Sequence, residues 1–299
     1  MGCAVGAAVG DALGMPLEFG PPRPLDAPVR DMQVGRLPAG HFTDDTEMAL
    51  ALAESLLAHR PLDAADLAHR FVAWYQAGPP DIGIHTRAVL LRVRAGIGWR
   101  EAAYAVQQQS PASAGNGSLM RCWPVALAWW NNLDQLVIDS RLQSEVTHPH
   151  GECLEACALV NVLICHLVYG RSPADALAAA LRDLALVADL RRVVDDAPRL
   201  PRSLLANSGW VRHTLQSAMW GLLTTDSFEQ AVVQVVNLGN DADTAGAVVG
   251  ALAGAAYGLS AIPPRWKQVL HGEWPLGSGT TWRADDLSAL ALRLARIAQ

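Results

Sequence analysis

Residues 245–262 contain no charged side chain, and the chain enters this stretch directly from Asp241 and Asp243. About 18 apolar residues is the lower bound for crossing a bilayer. This run draws its apolarity largely from Ala and Gly, which transfer only weakly into hydrocarbon. The expectation is therefore a central helix buried by the rest of the chain, not a membrane span. The other residues can bury it: 51% of the 299 are apolar, mainly Ala, Leu and Val, and only 6% are aromatic. Charged residues make up 17%, against about 25% in an average soluble protein. Such a composition excludes intrinsic disorder and favours packed helices over a sandwich or barrel.

Helical periodicity recurs along the chain, with no convincing period-2 alternation. An apolar segment over 2–13 is interrupted by Asp11 and followed by a loop that Pro16, Pro21, Pro22, Pro24, Pro28 and Pro38 keep out of regular helix. A helix over 45–59 carries Met48, Leu52 and Leu56 on one stripe. Further helices are expected over 62–77, 83–95, 99–109, 118–130, 152–169, 175–195, 212–223, 227–237 and 244–258. A last one carries Leu287, Leu290, Leu294 and Ile297. With no low-complexity linker and no internal repeat, the fold class is all-α, with one domain over 1–299.

The balance of 23 Lys+Arg against 29 Asp+Glu, a net charge of −6, argues against a nucleic-acid surface or an anionic membrane as partner. Five cysteines, an odd number without a disulfide framework, fit a reducing compartment. The start lacks the cationic residues of a signal peptide. Met1-Gly2-Cys3 lacks the Ser or Thr that myristoylation wants, because Gly6 stands there. A cytoplasmic location is expected.

Two acidic clusters precede very apolar segments: Phe42-Thr43-Asp44-Asp45-Thr46-Glu47-Met48 and Asn240-Asp241-Ala242-Asp243-Thr244-Ala245-Gly246. One reading is helix capping, with Asp44 and Glu47 as a capping box and Asp243 or Thr244 capping the second helix. A cap explains one carboxylate per helix, not Asp44 with Asp45 or Asp241 with Asp243. The other reading is a cation site. Converging acids raise one another's pKa unless cations hold them, and all-oxygen donors suit Mg²⁺ or Mn²⁺. Four carboxylates would balance two divalent ions.

Gly10-Asp11-Ala12-Leu13-Gly14 with Glu18, Phe42-Thr43-Asp44-Asp45-Thr46, Gly115-Asn116-Gly117-Ser118-Leu119-Met120-Arg121, Thr147-His148 and the block 237–258 resemble, in this order, the ADP-ribosylglycohydrolase family. The resemblance implies an all-α orthogonal bundle with a binuclear Mg²⁺ or Mn²⁺ centre. Thr43, Asp44 and Asp45 would ligate one cation, Asp241 and Thr244 the other, and Asp243 would bridge both. Glu18 matches a family glutamate that contributes to catalysis. Gly115, Asn116, Gly117, Ser118, Met120 and His148 match positions that hold ADP-ribose. Asp81-Ile82-Gly83 with Thr86 resembles a family loop whose Asp lies close to the substrate ribose, which makes Asp81 a second catalytic candidate beside its reading as a helix cap. Ile84 stands where some relatives carry Asn, a departure that bears on the leaving group.

The glycine turn at Gly115–Gly117 is expected to open a helix, where free N–H groups can receive a phosphate. It is not a Walker loop, because no Lys-Ser/Thr follows. His148, His150, Cys153 and Cys157 form a competing constellation: the last three share a helix face, so zinc is geometrically possible, with core cysteines as the alternative. Trp129-Trp130 reads as packing, and Trp210 could face an adenine or a leaving group. The expected function is metal-dependent release of ADP-ribose from a modified side chain, or from another acceptor. The rivals are an ADP-ribose reader, a protein that occludes a partner ADP-ribosyltransferase, and a hydrolase of small ADP-ribose conjugates.

Overall fold

The computed structural model describes residues 1–297, and among them fifteen α-helices carry the fold. The first seven are α1 (Gly2–Gly14), α2 (Asp44–Ala58), α3 (Ala64–Gln76), α4 (Ile84–Arg94), α5 (Trp99–Gln109), α6 (Trp123–Ala128) and α7 (Leu133–Glu145). Then come α8 (Gly151–Val168), α9 (Pro173–Asp183), α10 (Ala188–Asp196), α11 (Val211–Thr224) and α12 (Phe228–Val236). The last three are α13 (Ala242–Tyr257), α14 (Pro264–Val269) and α15 (Ala284–Ile297). One antiparallel hairpin, β1 (His271–Glu273) with β2 (Thr281–Arg283), pairs Gly272 with Trp282. The all-α expectation stands.

Helix α13 is the axis of the core. Every residue from Ala242 to Gly254 is buried, and α1, α8, α11 and α12 pack around it. Its closest partner is α1, which runs antiparallel to it, glycine against glycine. A Cβ added at Gly10 would lie 1.8 Å from the Gly246 carbonyl oxygen, and one at Gly6 2.2 Å from that of Gly250. Gly2 faces Gly254 and Gly14 faces Ala242 in the same way. Backbone meets backbone along the seam, which leaves no room for a side chain. The same seam sets Asp11 on α1 beside Asp243 on α13.

The 245–262 run is thus a core helix, ended at Tyr257 by Gly258 in the left-handed region (φ 80°). Among the described residues, the helix long and apolar enough to cross a membrane is α8, with mean hydropathy 1.6, and 67% of it is buried inside the protein. The hairpin steers the entry to α2. Phe42 N–H donates to the His271 carbonyl at 3.0 Å, and the absence of a Cβ at Gly272 makes room for the Phe42 ring.

Three expectations about elements need correction. The helix over 118–130 shortens to α6, because residues 116–121 form turns ahead of Pro124 at its start. The stretch 175–195 divides into α9 and α10 around 184–187. Helix α7, α14 and the hairpin lie where the sequence pattern predicts no element.

Candidate active site

The acid clusters meet because Asp11 takes over a role expected of local residues. At the start of α2, Thr43 is the N-cap but its side chain makes no capping bond. Instead the fully buried Asp11 accepts from the backbone N–H of Thr43 (2.9 Å) and of Thr46 (3.2 Å). It also accepts from the hydroxyls of Thr43 (2.8 Å) and Thr46 (2.6 Å). An anion from α1 therefore satisfies the first turn of α2. The capping box is not formed: Glu47 instead accepts from the Trp74 indole at 2.7 Å. Asp44 and Asp45 are released from capping: Asp45 Oδ2 lies 3.2 Å from the Thr43 hydroxyl, and Asp45 Oδ1 is buried with no hydrogen-bond partner.

The second cluster arrives by another clamp. Phe19 N–H donates to the Asn240 carbonyl at 2.7 Å and Asn240 N–H to the Gly20 carbonyl at 2.8 Å, with Phe19 and Asn240 both in the left-handed region. This exchange locks the loop after α1 to the turn before α13. It brings carboxylate oxygens of Glu18, Asp241 and Asp243 within 4.8 Å of one another. Asp241 is steadied by the Asn116 amide (2.7 Å), which also donates to the Thr214 hydroxyl (2.7 Å). Asp243 Oδ1 accepts from the Thr244 N–H at 2.9 Å.

These groups open on one cavity of about 730 Å³. Glu18, Asp44, Asp45, Asp241, Asp243 and Thr244 line one part of its wall, and Asp81, Gly115, Asn116, Gly117, Met120 and His148 line another. Thr43 lies behind this wall: its hydroxyl donates towards Asp11, which leaves its lone pairs unused. Ser118 requires a correction. It is fully buried outside the cavity, where its hydroxyl pairs with Ser144 at 2.7 Å and supports the glycine loop from behind. Nor does that loop open a helix directly, since α6 starts only at Trp123.

Electrostatics mark the wall as cation-seeking. Burial first, and then neighbouring carboxylates, push Asp44, Asp45 and Asp243 well above the usual carboxylate range. Burial lifts Asp11 to about 6, against the pull of its four hydrogen bonds. An all-oxygen donor set with an orphaned buried carboxylate oxygen fits a hard divalent ion. A cation already reaches in from the Pro-rich loop. The Arg36 guanidinium pairs with Glu18, with Asp81 at 2.5 Å and with Asp243 at 3.2 Å.

His148 in the second part of the wall is held from behind. Arg121, fully buried, donates to the Thr147 hydroxyl at 2.8 Å, and that hydroxyl lies 2.8 Å from His148 Nδ1. Arginine can only donate, so the Thr147 hydroxyl accepts from Arg121 and its remaining hydrogen-bonding capacity meets His148 Nδ1, which fixes the orientation of the ring. Burial and then His85 keep His148 well below its ordinary pKa. Glycine is needed against this ring: a Cβ at Gly117 would stand 2.9 Å from it.

The zinc alternative is not assembled. His150 Nδ1 accepts from Glu152 N–H at the start of α8, Cys153 Sγ donates to the Gly115 carbonyl, and Cys157 Sγ donates to Ser118. Trp129 and Trp130 pack as expected, donating to Asp139 and to the Ala295 carbonyl. Trp210 is partly exposed and bridges Gly115 at the edge of the glycine loop.

The ADP-ribosylglycohydrolase family model matches residues 1–299. The chain belongs to the ADP-ribosylglycohydrolase family. It is 36% identical over 279 residues to ADP-ribosylarginine hydrolase Tri1 of Pseudomonas putida, covering 89% of this chain and 72% of that protein. It is 35% identical over 272 residues to the ADP-ribosyl-[dinitrogen reductase] glycohydrolase of Rhodospirillum rubrum, covering 89% and 88%. A solved ADP-ribosylglycohydrolase-related protein complex superposes with a TM-score of 0.83 at 39% identity, over 100% of this chain and 97% of that one. As an ADP-ribosylglycohydrolase the protein is a hydrolase. Sequence reasoning gave no role to two residues of its site. Asp11 had a signal, as the one acid inside an apolar helix; Arg36 had none.

Proposed function

We propose that the protein hydrolyses the bond between ADP-ribose and an arginine side chain of a modified protein, using two divalent cations, Mg²⁺ or Mn²⁺. The observation that carries the reading is the convergence of two acid turns on one cavity around Glu18. The arginine acceptor is supported by the relatives, one an ADP-ribosylarginine hydrolase at 36% identity. Asp44, Asp45, Asp241, Asp243, Thr43 and Thr244 would hold the cations. When bound, these supply Lewis-acid stabilisation and fix ribose hydroxyls.

The chain's own residues do the rest. His148 Nε2 faces Gly115 and Gly117, and in the tautomer protonated there it donates to an ADP-ribose oxygen. Glu18 is the general base: it takes a proton from water while the water oxygen bonds to the anomeric carbon. The bond from that carbon to the guanidinium nitrogen breaks with its electron pair going to nitrogen, so the group leaves as neutral guanidine and takes up the proton that Glu18 received from water. The transition state is oxocarbenium-like, and the carboxylates of Glu18 and Asp81 face its developing positive charge.

The test is release of free ADP-ribose from arginine-, serine- and nucleic-acid-linked substrates with Mg²⁺, Mn²⁺ or EDTA. Release from the arginine-linked substrate, lost in EDTA, is expected. Undiminished release in EDTA overturns the metal dependence, and release from another linkage alone overturns the acceptor.

A further inference from the structure

The least expected group beside the acids of the cavity is a guanidinium. Arg36 pairs with Glu18 and Asp81 and reaches Asp243 at 3.2 Å. Its backbone is fixed: Gly35 lies against Met15 and Pro16, where a Cβ would stand 2.8 Å from each, and Gly35 N–H donates to the Leu37 carbonyl at 3.0 Å. Its side chain keeps 29% of its surface exposed. Rotation about side-chain bonds can therefore withdraw it without unpacking the loop.

Two apolar side chains flank the acids that Arg36 bridges. Phe19 follows Glu18 and is 82% exposed; Ile84, three residues after Asp81, is 90% exposed; both line the cavity. Phe19 is held at φ 60° by its bond to Asn240. A bulky residue in that region is strained, and such strain gathers at ligand sites. An acid pair that takes a guanidinium, rimmed by an aromatic face and an aliphatic side chain, matches an arginine side chain. The acids meet its charged end, the Phe19 ring can stack on its cation, and Ile84 suits its methylene stem.

We propose that Arg36 occupies the acceptor subsite as an internal surrogate for the guanidine leaving group. Substrate arginine enters by displacing it and lies between Phe19 and Ile84. This rests on the arginine acceptor proposed above and says where that acceptor sits. The apparent affinity for a guanidinium is then reduced by the fraction of time Arg36 is in place, so about 90% occupancy corresponds to a roughly tenfold reduction.

The probe is methylguanidinium, added to the full chain at saturating Mn²⁺ for kinetics and to the Mg²⁺ form for NMR. The Nε–H signal of Arg36, assigned by its absence in Arg36→Lys, is expected to move on titration towards that of solvent-exposed arginines. In Arg36→Ala and Arg36→Gln, the methylguanidinium concentration that halves turnover is expected to fall about tenfold, while Arg36→Lys falls between. Phe19→Ala is expected to lower kcat/KM for arginine-linked ADP-ribose at least tenfold more than for a serine-linked substrate. An Arg36 signal that ignores methylguanidinium overturns the inference whatever the enzyme hydrolyses, as does unchanged inhibition in both neutral variants. If arginine-linked ADP-ribose is inert but methylguanidinium still displaces Arg36, the acceptor reading fails and the subsite stands.

Discussion

The α1–α13 seam allows one perturbation to be worked from the structure. In Gly246→Ala, the new methyl would stand 2.3 Å from the Gly10 carbonyl oxygen, 2.8 Å from its carbon and 2.9 Å from Val236 Cγ1. Ordinary contact begins near 3.4 Å, so the helices must part by about an ångström. The closest obstacles are backbone, which cannot rotate away. Overpacking of this kind costs about 1–3 kcal/mol or more, and better helix propensity returns at most about 1 kcal/mol. A net loss of about 2 kcal/mol is expected, or roughly 3 °C in Tm for a chain of 299 residues. The consequence reaches the site, because Asp243 lies one turn before Gly246 and Asp11 follows Gly10. Parting the seam separates these two acids, and Mn²⁺ affinity is expected to fall at least tenfold. Thermal unfolding in EDTA and calorimetric Mn²⁺ titration measure both effects. Gly151→Ala serves as a control, since nothing lies within 4 Å of that position at the start of α8; it is expected to be neutral or slightly stabilising. If Gly246→Ala keeps the wild-type Tm and Mn²⁺ affinity, the seam does not hold the acids together and the reasoning fails.

Asp243→Ala is expected to remove both cations and abolish hydrolysis, seen as loss of Mn²⁺ binding; near-normal turnover would contradict a binuclear centre. Glu18→Gln is expected to retain ADP-ribose binding by calorimetry while turnover falls about 10²-fold. Glu47 gives the pH dependence. It is wholly buried, with Oε1 unpartnered, and burial raises its pKa from 4.5 to about 8. The folded chain holds this proton more tightly than the unfolded one, so stability present below pH 4.5 is lost progressively as pH climbs through 8. Glu47→Gln, which mimics the protonated acid, is expected to flatten part of that decline in EDTA, gaining on the order of 3 kcal/mol over wild type at pH 8.5. Parallel wild-type and variant curves in urea titrations at pH 5 and 8.5 would refute the assignment.

What was legible in the sequence was whatever local patterning controls. The apolar runs of α1, α2 and α13 announce core helices, and the doubled carboxylates announce more than capping. Helix α7 went unread for a physical reason. Among its buried residues only Leu136 is apolar; the others are Asp139, Ser140, Gln143 and Ser144, which serve Trp129, Asn161, Arg121 and Ser118 in turn, so the buried face gives little apolar period to detect. The break between α9 and α10 carries neither Gly nor Pro, and its apolar pattern continues through Leu184 and Leu186. The start of α2 shows most clearly where local reading stops. Capping rules look within three or four residues and find Asp44 and Glu47, yet the orphan N–H groups go to Asp11 on another helix. Asp11 can reach them because the glycine seam settles α1 deep in the core beside α13. Once Asp11 serves as the cap, Glu47 turns to the Trp74 indole, while Asp44 and its neighbour Asp45 cap nothing. Their burial then costs stability, unless a cation or Arg36 answers their charge.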